Sequence, residues 1–237
     1  PERSVEWLVA ALLDYLVKHG VAMYSEWGCT VAVVALGATM DHGTGLVVSS
    51  GALWGPSQVN INIEGMLCRR CPSLRWLVVN DVTAMASRYR LEGRGPSTRS
   101  CYLTVSTGVA LRTLGAAGRP VVGRYGVQGE VGHLPAEVNF RTESPMVACD
   151  CGGQNHLASL SSGKGISGVA NALVDVFPDL CSVVSTDGKF DFHRLRLELA
   201  RENPVADEFL LAVTRPIARA IATTLSVDPD IELLVVG

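Results

Sequence analysis

The chain has 237 residues, of which 48% are hydrophobic and 18% charged, and its net charge at pH 7 is −3. This composition excludes a disordered chain, and the charge provides no broad basic field for nucleic acid. We expect no membrane-spanning segment, since no stretch reads as long and apolar enough, and no signal peptide pattern is visible. The seven cysteines follow no disulfide spacing, which favours a reducing, cytoplasmic setting.

The first part of the chain predicts alternating helices and strands. Helical spacing in "SVEWLVAALLDYLVKHG" predicts a helix that ends at Gly20. The run "TVAVVAL" predicts a buried strand that opens into a glycine-rich loop, "GATMDHGTG". A short helix, "NIEGMLCRRC", precedes a second buried strand, "LRWLVV", which ends directly on Asn80 and Asp81. A helix at "VTAMASRYR" and a loop at "EGRGPST" follow.

The remaining elements indicate an α/β fold. The segment "SCYLTVSTG" predicts a strand and a turn, and a glycine-rich region then leads to a Cys/His segment. Three predicted helices and a last strand follow, at "GISGVANALVDVF", "FHRLRLELAREN", "PVADEFLLAVTRPIARAIATTL" and "IELLVV". We expect a smaller amino-terminal α/β lobe over residues 1–82 and a larger carboxy-terminal lobe over 83–237. The abrupt start and the interrupted last strand lead us to expect that both ends of the natural protein lie outside this sequence.

Two histidines and two cysteines predict a metal site. His133, Cys149, Cys151 and His156 fall within 24 residues, around turn-forming glycines. Imidazole and thiolate are good zinc ligands, and four of them close a tetrahedral site. We therefore predict a structural zinc ion, since an open catalytic site, as in a zinc hydrolase, would need a free position. The competing interpretation is two core cysteines and two surface histidines.

A carboxylate follows the second buried strand. Asp81 stands where open α/β folds place ligands, and it could accept a proton from a hydroxyl. The competing interpretation is that Asn80 and Asp81 only cap the following helix. Glu130 precedes His133 by three residues in "GEVGH", so a metal on His133 would also fix the backbone that presents Glu130.

Two further motifs are weaker. The "STG" turn, which ends at Thr107 and Gly108, could offer N–H groups and a hydroxyl to a phosphate. The pair Cys68 and Cys71 in "CRRC" lies on a predicted helix with no second pair nearby, and two ordinary thiols are the simpler interpretation.

Taken together, these pieces resemble the ROK family of bacterial sugar kinases and sugar-responsive repressors. Asn80-Asp81 after a strand, then Thr107-Gly108, then "GEVGH", then "CDCGGQNH" stand in that family's order and spacing. The resemblance covers nearly the whole chain, and "GATMDHGTG" is similar to the family's sugar-side loop.

The resemblance implies a two-lobed actin-like ATPase fold (ribonuclease H-like), with sugar and ATP meeting in the cleft. It implies that Asp81 is the general base, taking the proton from a primary hydroxyl that attacks the γ-phosphate of Mg-ATP. Thr107 and Gly108 would lie by the phosphates, and His133 would direct one ring nitrogen to zinc and the other to the substrate. Family members are often dimers or tetramers. The implied substrate-binding residues are Gly37, Asn80, Asp81, Glu130 and His133.

Three departures from the family pattern bear on function. The amino-terminal Asp-x-Gly-Gly-Thr phosphate loop and the glycine-rich loop expected after Gly237 are not in this sequence, so the chain as printed is not expected to turn over ATP well. His156 stands where a third cysteine is usual, and a His2Cys2 set still binds zinc. Ala158 stands where the sugar kinases carry a glutamate. A carboxylate only accepts hydrogen bonds and would repel a carbonyl, so alanine suggests a cyclitol ketone or modified sugar.

The sharper hypothesis is therefore a kinase for a valiolone-type C7-cyclitol or an amino sugar of antibiotic biosynthesis. The alternative is the sugar-binding effector domain of a ROK-type repressor. No helix-turn-helix is recognisable in the sequence, and the net charge does not favour DNA binding.

Overall fold

The computed structural model describes residues 4–91, 98–123, 128–186 and 189–237. The predicted loop "EGRGPST" lies outside these residues except for Thr98. The helices are α1 Val5–Trp27, α2 Gly51–Trp54, α3 Ile63–Arg70, α4 Asp81–Leu91, α5 Leu157–Ser161, α6 Gly163–Leu173, α7 Pro178–Val184, α8 Phe192–Ala200 and α9 Pro204–Val227. The strands are β1 Val31–Leu36, β2 Thr39–Asp41, β3 Leu46–Ser50, β4 Gly55–Asn62, β5 Arg75–Asn80, β6 Ser100–Val105, β7 Val109–Leu114, β8 Pro120–Val121, β9 Ser185–Thr186, β10 Lys189–Phe190 and β11 Leu233–Val236.

The chain divides into two compact units. Unit 1 consists of Pro1–Thr98 and Arg112–Gly129, and unit 2 consists of Arg99–Leu111 and Glu130–Gly237. This division differs from the expected boundary after residue 82. Helix α4 belongs to unit 1 because it packs against β1, β5 and β8, and the chain returns to unit 1 within β7.

Unit 1 is built on a parallel pair of strands. Strand β1 pairs with β5 from Val31↔Arg75 to Leu36↔Asn80, and α1 and α3 pack with these strands around one apolar core. Helix α1 continues to Trp27, past the predicted end at Gly20. A Cβ at position 20 would lie 2.4 Å from Cη2 of buried Trp76, so this glycine permits close packing rather than ending the helix. The helix ends instead at Gly28, in the left-handed conformation with φ 64°.

A three-stranded antiparallel sheet, β2-β3-β4, begins within the predicted glycine-rich loop, which contains β2, and continues through β3 and β4, which were not predicted. Asp41 organises its first turn by accepting hydrogen bonds from Gly43 N at 2.8 Å and from Thr44 Oγ1 at 2.9 Å. The pairing of β2 with β3 and of β3 with β4 is irregular, with register shifts. These shifts disturb the period-2 alternation that reveals a strand in sequence.

Unit 2 combines a sheet with a helical core. Strand β11 pairs in parallel with β6, and apolar residues of α9 pack against this sheet. The helical core is formed mainly by α6, α7, α8 and α9. Strand β7 and helix α7 were not predicted, whereas α8, α9 and β11 lie where the sequence indicated them.

Helix α9 corrects one expectation. It is long and apolar enough to cross a membrane by length and composition, so the statement that no such stretch exists was wrong. A single helix of this kind is weak evidence for a membrane, because a core helix passes the same test. Although only 17% of its apolar window is buried, α9 places Phe209 and Val213 in the helical core and Ile217 and Ile221 against the sheet. Its apolar face therefore has partners within unit 2.

An ion cluster joins three segments of unit 2. Arg141 donates to both carboxylate oxygens of Asp179, at 3.0 and 2.8 Å, and to Glu208 at 3.1 Å. Its guanidinium also lies 4.9 Å from the ring centroid of Phe140 and 5.2 Å from that of Phe177. The hydrogen bond from Arg141 is the main reason that the pKa of Asp179 lies below its ordinary value of 3.8.

Replacing Arg141 with methionine should therefore lower the melting temperature at pH 7 by about 2–4 °C. A depressed carboxyl pKa stabilises the folded state above the unfolded-state pKa, and this contribution is lost as pH falls through the folded-state pKa. The part of the difference between wild type and Arg141→Met that comes from the ion pair should thus be lost as the pH falls below about 3.8, while the part that comes from the aromatic rings remains. Thermal melts from pH 7 to pH 2.5 measure it, with exposed Arg219→Met as the control; an equal difference at all pH values would contradict the prediction.

Candidate functional site

The candidate general base lies at the junction of β5 and α4 in unit 1. Both side chains of the Asn80-Asp81 pair cap the helix, as the competing interpretation held: Asn80 Oδ1 accepts from Thr83 N at 3.1 Å, and Asp81 Oδ1 accepts from Val82 N at 2.8 Å. Capping occupies only one oxygen of Asp81. A Cβ at Gly37 would lie 3.3 Å from the other oxygen, Oδ2. The structure therefore brings Gly37 and Asp81 together and leaves Oδ2 beside a backbone without a side chain.

Asn80 is buried, with 6% of its surface exposed. Its Nδ2 donates to Ala38 O at 3.1 Å, which ties the start of the β2 segment to the end of β5. The other Nδ2 hydrogen has no partner among the described residues, which leaves it available to a ligand oxygen.

Two residues were not predicted from the sequence: Arg112, which lies beside Asn80, and His42, which is close enough to Arg112 to respond to its charge. Arg112 on β7 is 1% exposed, and one of its amino groups lies 3.5 Å from Asn80 Oδ1. His42 lies in the turn between β2 and β3, and burial, followed by the positive charge of Arg112, lowers its pKa. A charged residue inside the apolar run "VALRTL" was the only sequence signal, and it did not reveal what Arg112 contacts.

The four predicted metal ligands converge in unit 2. His133 ends a 3₁₀ turn, Val131–His133, and His156 precedes α5 as its N-cap. A tight turn presents the two cysteines: Gly152 N donates to Cys149 O at 2.9 Å, and Gly152 has φ 89°. The four donor atoms all lie within 4.8 Å of one another.

This donor set fits zinc. A tetrahedral zinc ion keeps sulfur and nitrogen ligands roughly 3.3–3.8 Å apart. Cys151 Sγ lies 3.2 Å from His156 Nδ1, and Cys149 Sγ lies 3.9 Å from His133 Nδ1. Glycine is required nearby, since a Cβ at Gly153 would lie 2.6 Å from the His156 ring. His133 uses Nδ1 in this cluster, so Nε2 is left for another partner.

Glu130 and His133 belong to the same turn. His133 N donates to Glu130 O at 3.2 Å, which links the backbone of Glu130 to the metal cluster, as expected. Gly132 between them allows close packing on β7, because a Cβ there would lie 2.1 Å from Val109 O. The same Cβ would lie 3.3 Å from the Cβ of Ala158, so the residue at position 158 borders the turn that presents Glu130.

The "STG" turn connects β6 and β7 in unit 2. Ser106 N donates to Gly108 O at 2.9 Å, and Gly163 N, at the start of α6, donates to Ser106 O at 2.7 Å. Thr107 is exposed at the tip, where its hydroxyl is available to a ligand. In the "CRRC" motif, Cys68 is exposed and Cys71 is buried, and both are free thiols.

Comparisons with known proteins identify the family. The model of the ROK family matches residues 4–237. The chain is 38% identical, over 86% of its length, to 2-epi-5-epi-valiolone 7-kinase of Actinoplanes sp. (strain ATCC 31044 / CBS 674.73 / SE50/110), and covers 58% of that protein. It is 31% identical, over 69% of its length, to C(7)-cyclitol 7-kinase of Streptomyces hygroscopicus subsp. jinggangensis (strain 5008), and covers 42% of it. The chain thus spans about half the length of these curated relatives.

The solved structures identify the fold. The ROK family glucokinase from Streptomyces griseus, in complex with glucose and AMPPNP, matches with a TM-score of 0.71 at 18% identity, over 100% of this chain and 72% of that one. The expected actin-like ATPase fold is confirmed by this likeness. With a family model matched along almost its entire length, the chain belongs to the ROK family.

Proposed function

We propose that this chain is the catalytic part of an ATP-dependent kinase that phosphorylates the primary hydroxyl of a valiolone-type C7-cyclitol. The carboxylate of Asp81, with Oδ2 beside Gly37, is the observation that carries the proposal. The two curated relatives are a 2-epi-5-epi-valiolone 7-kinase and a C(7)-cyclitol 7-kinase, which supports a cyclitol as acceptor. They also favour a kinase over the effector domain of a repressor.

In this mechanism Asp81 acts as the general base. Its Oδ2 accepts the proton of the primary hydroxyl as the hydroxyl oxygen attacks the γ-phosphorus of ATP, and the bond to the bridging oxygen of ADP breaks. Mg2+ would neutralise charge on the phosphate oxygens.

The other predicted residues bind the acceptor and ATP and orient them. Ring oxygens of the acceptor are held by Asn80, Glu130, His133 and the backbone at Gly37. The phosphates of ATP are bound by Thr107 and Gly108. His133 Nε2 is suited to the acceptor because Nδ1 faces Cys149. Zinc would be structural: held by four protein ligands, it would fix the turn that presents Glu130 and His133.

We further propose a cytoplasmic homo-oligomer, a dimer or tetramer, that has no nucleic acid or membrane partner. All seven cysteines are free thiols, as a reducing compartment favours. The net charge of −3 supports the exclusion of nucleic acid.

The first test is a coupled ADP-release assay on the complete natural protein with Mg-ATP. Acceptors would include 2-epi-5-epi-valiolone, glucose, mannose, N-acetylmannosamine and kanosamine. Asp81→Asn should lower kcat by about 10²–10⁴-fold, because the amide cannot take the proton. Asp191, whose carboxylate caps α8, provides a matched control: Asp191→Asn removes a capping charge without removing a base. Full activity of Asp81→Asn would contradict the assignment, and sugar binding without phosphorylation in the wild type would favour the repressor-type interpretation.

The second test concerns acceptor choice. Ala158→Glu should lower kcat/KM for the ketone by roughly 10–100-fold relative to glucose, because a carboxylate beside the Glu130 turn repels a carbonyl oxygen. Ala158→Gln is the matched control, since it has the same size without the charge and can donate a hydrogen bond. If both variants lose the ketone equally, size rather than charge sets the preference, and the carbonyl argument fails.

The third test concerns zinc. The purified protein should contain one zinc per chain by elemental analysis, and Cys151→Ser should weaken zinc binding by more than about tenfold, since even the loss of an outer partner of a ligand costs about 10–100-fold. Cys68→Ser removes an equally exposed thiol outside the cluster and should retain the metal. Equal zinc in both variants would contradict the four-ligand assignment.

A further inference from the structure

Arg112 is a cation enclosed in unit 1. It is among the largest fully buried side chains of the described residues, with 1% of its surface exposed. One amino group donates to the Gln128 carbonyl, and the other lies 3.5 Å from Asn80 Oδ1, at the outer limit of a hydrogen bond. The contact with Asn80 places a buried charge next to a side chain that we propose to bind the acceptor.

The hydrogen bonds around Asn80 suggest a role for this charge. Thr83 N and Arg112 both approach Oδ1 with donors, and Nδ2 donates to Ala38 O. Rotating the amide by 180° would direct its NH2 group at the cation and at Thr83 N, so donors would face donors. Arg112 therefore favours the same orientation of the Asn80 amide as Thr83 N and Ala38 O do, and adds a charge to that preference.

His42 reports the charge of Arg112. Its Nε2 is buried and has no hydrogen-bond partner within the described part of the chain. Burial is the main cause of its lowered pKa, the Arg112 charge is the second, and Asp41 acts in the opposite direction. Loss of the Arg112 charge would thus move the His42 pKa upward.

We propose that Arg112 is a positioning residue: it locks the Asn80 amide in the orientation whose remaining Nδ2 hydrogen binds an acceptor oxygen. Arg112 does not touch the acceptor, since it is enclosed, and it acts through Asn80. This inference rests on the proposed function only in assigning Asn80 to the acceptor.

The experiment compares Arg112→Met and Arg112→Lys with wild type in the complete natural protein. Arg112→Met removes the charge and keeps a side chain of similar length. Arg112→Lys keeps the charge, but its single amino group cannot donate to both Asn80 Oδ1 and the Gln128 carbonyl as the two amino groups of a guanidinium do. The matched control is Arg99→Met, which breaks the ion pair with Asp228 in unit 2 and should lower stability only. Readouts are the acceptor Kd and KM, the KM for ATP, the side-chain amide resonances of Asn80 by NMR and the His42 titration.

We expect Arg112→Met to weaken acceptor binding about tenfold, with the KM for ATP unchanged, faster rotation of the Asn80 amide and a raised His42 pKa. Arg112→Lys should keep the His42 pKa low yet restore acceptor binding only in part, and added guanidinium should improve Arg112→Met. Should methionine prevent folding, the lysine variant carries the test through the Asn80 resonances and the acceptor Kd.

Unchanged Asn80 resonances together with wild-type acceptor binding in the Arg112 variants would overturn the proposal. Equal losses for acceptor and ATP, or the same loss in Arg99→Met, would also overturn it, because they would indicate general destabilisation. If the wild type binds no acceptor, the proposed function fails while the Asn80 resonances still decide whether Arg112 fixes the amide.

Discussion

The parallel pairing of β1 with β5 is the constraint on which the chemistry of unit 1 depends. Its register sets Leu36 opposite Asn80, so the residues that follow, Gly37 and Asp81, leave the two strands side by side. A Cβ at position 37 would crowd the carboxylate, since it would lie 3.3 Å from Asp81 Oδ2. This register places the proposed general base at the carboxyl end of a parallel pair, where open α/β folds bind ligands.

Unit 2 positions its candidate functional residues with little regular secondary structure. The segment from Glu130 to His156 contains one 3₁₀ turn and isolated bridges rather than long strands. Backbone pairing alone would hold such a segment loosely. Val138 and Phe140 anchor the middle of the segment in the helical core, and four ligand atoms within 4.8 Å of one another offer a metal ion a second anchor. The bond from His133 N to Glu130 O links this candidate metal site to the proposed acceptor-binding carboxylate.

The polar side chains discussed for the two units differ in their roles. Asn80 and Asp81 each cap α4 with one oxygen, so the side chains that we propose to act on the acceptor also stabilise the helix. In unit 2, Arg141 is bound by two carboxylates and stacked on aromatic rings, and its described contacts are all structural. The two units therefore differ in whether these polar side chains keep atoms that can still form a hydrogen bond with a ligand after the chain has folded.

Sequence alone predicted the α/β class, the strand that leads to Asp81, the long helix α9 and the set of four candidate metal ligands. Each of these signals is local: apolar periodicity within one element, or ligands within 24 residues. Only the tertiary structure decided the division into units, the sheet β2-β3-β4, and the placement of Arg112 beside Asn80, which is 32 residues away along the chain. These features depend on pairing between distant segments and on interactions between buried polar and charged groups. Neither produces a periodic pattern in the sequence.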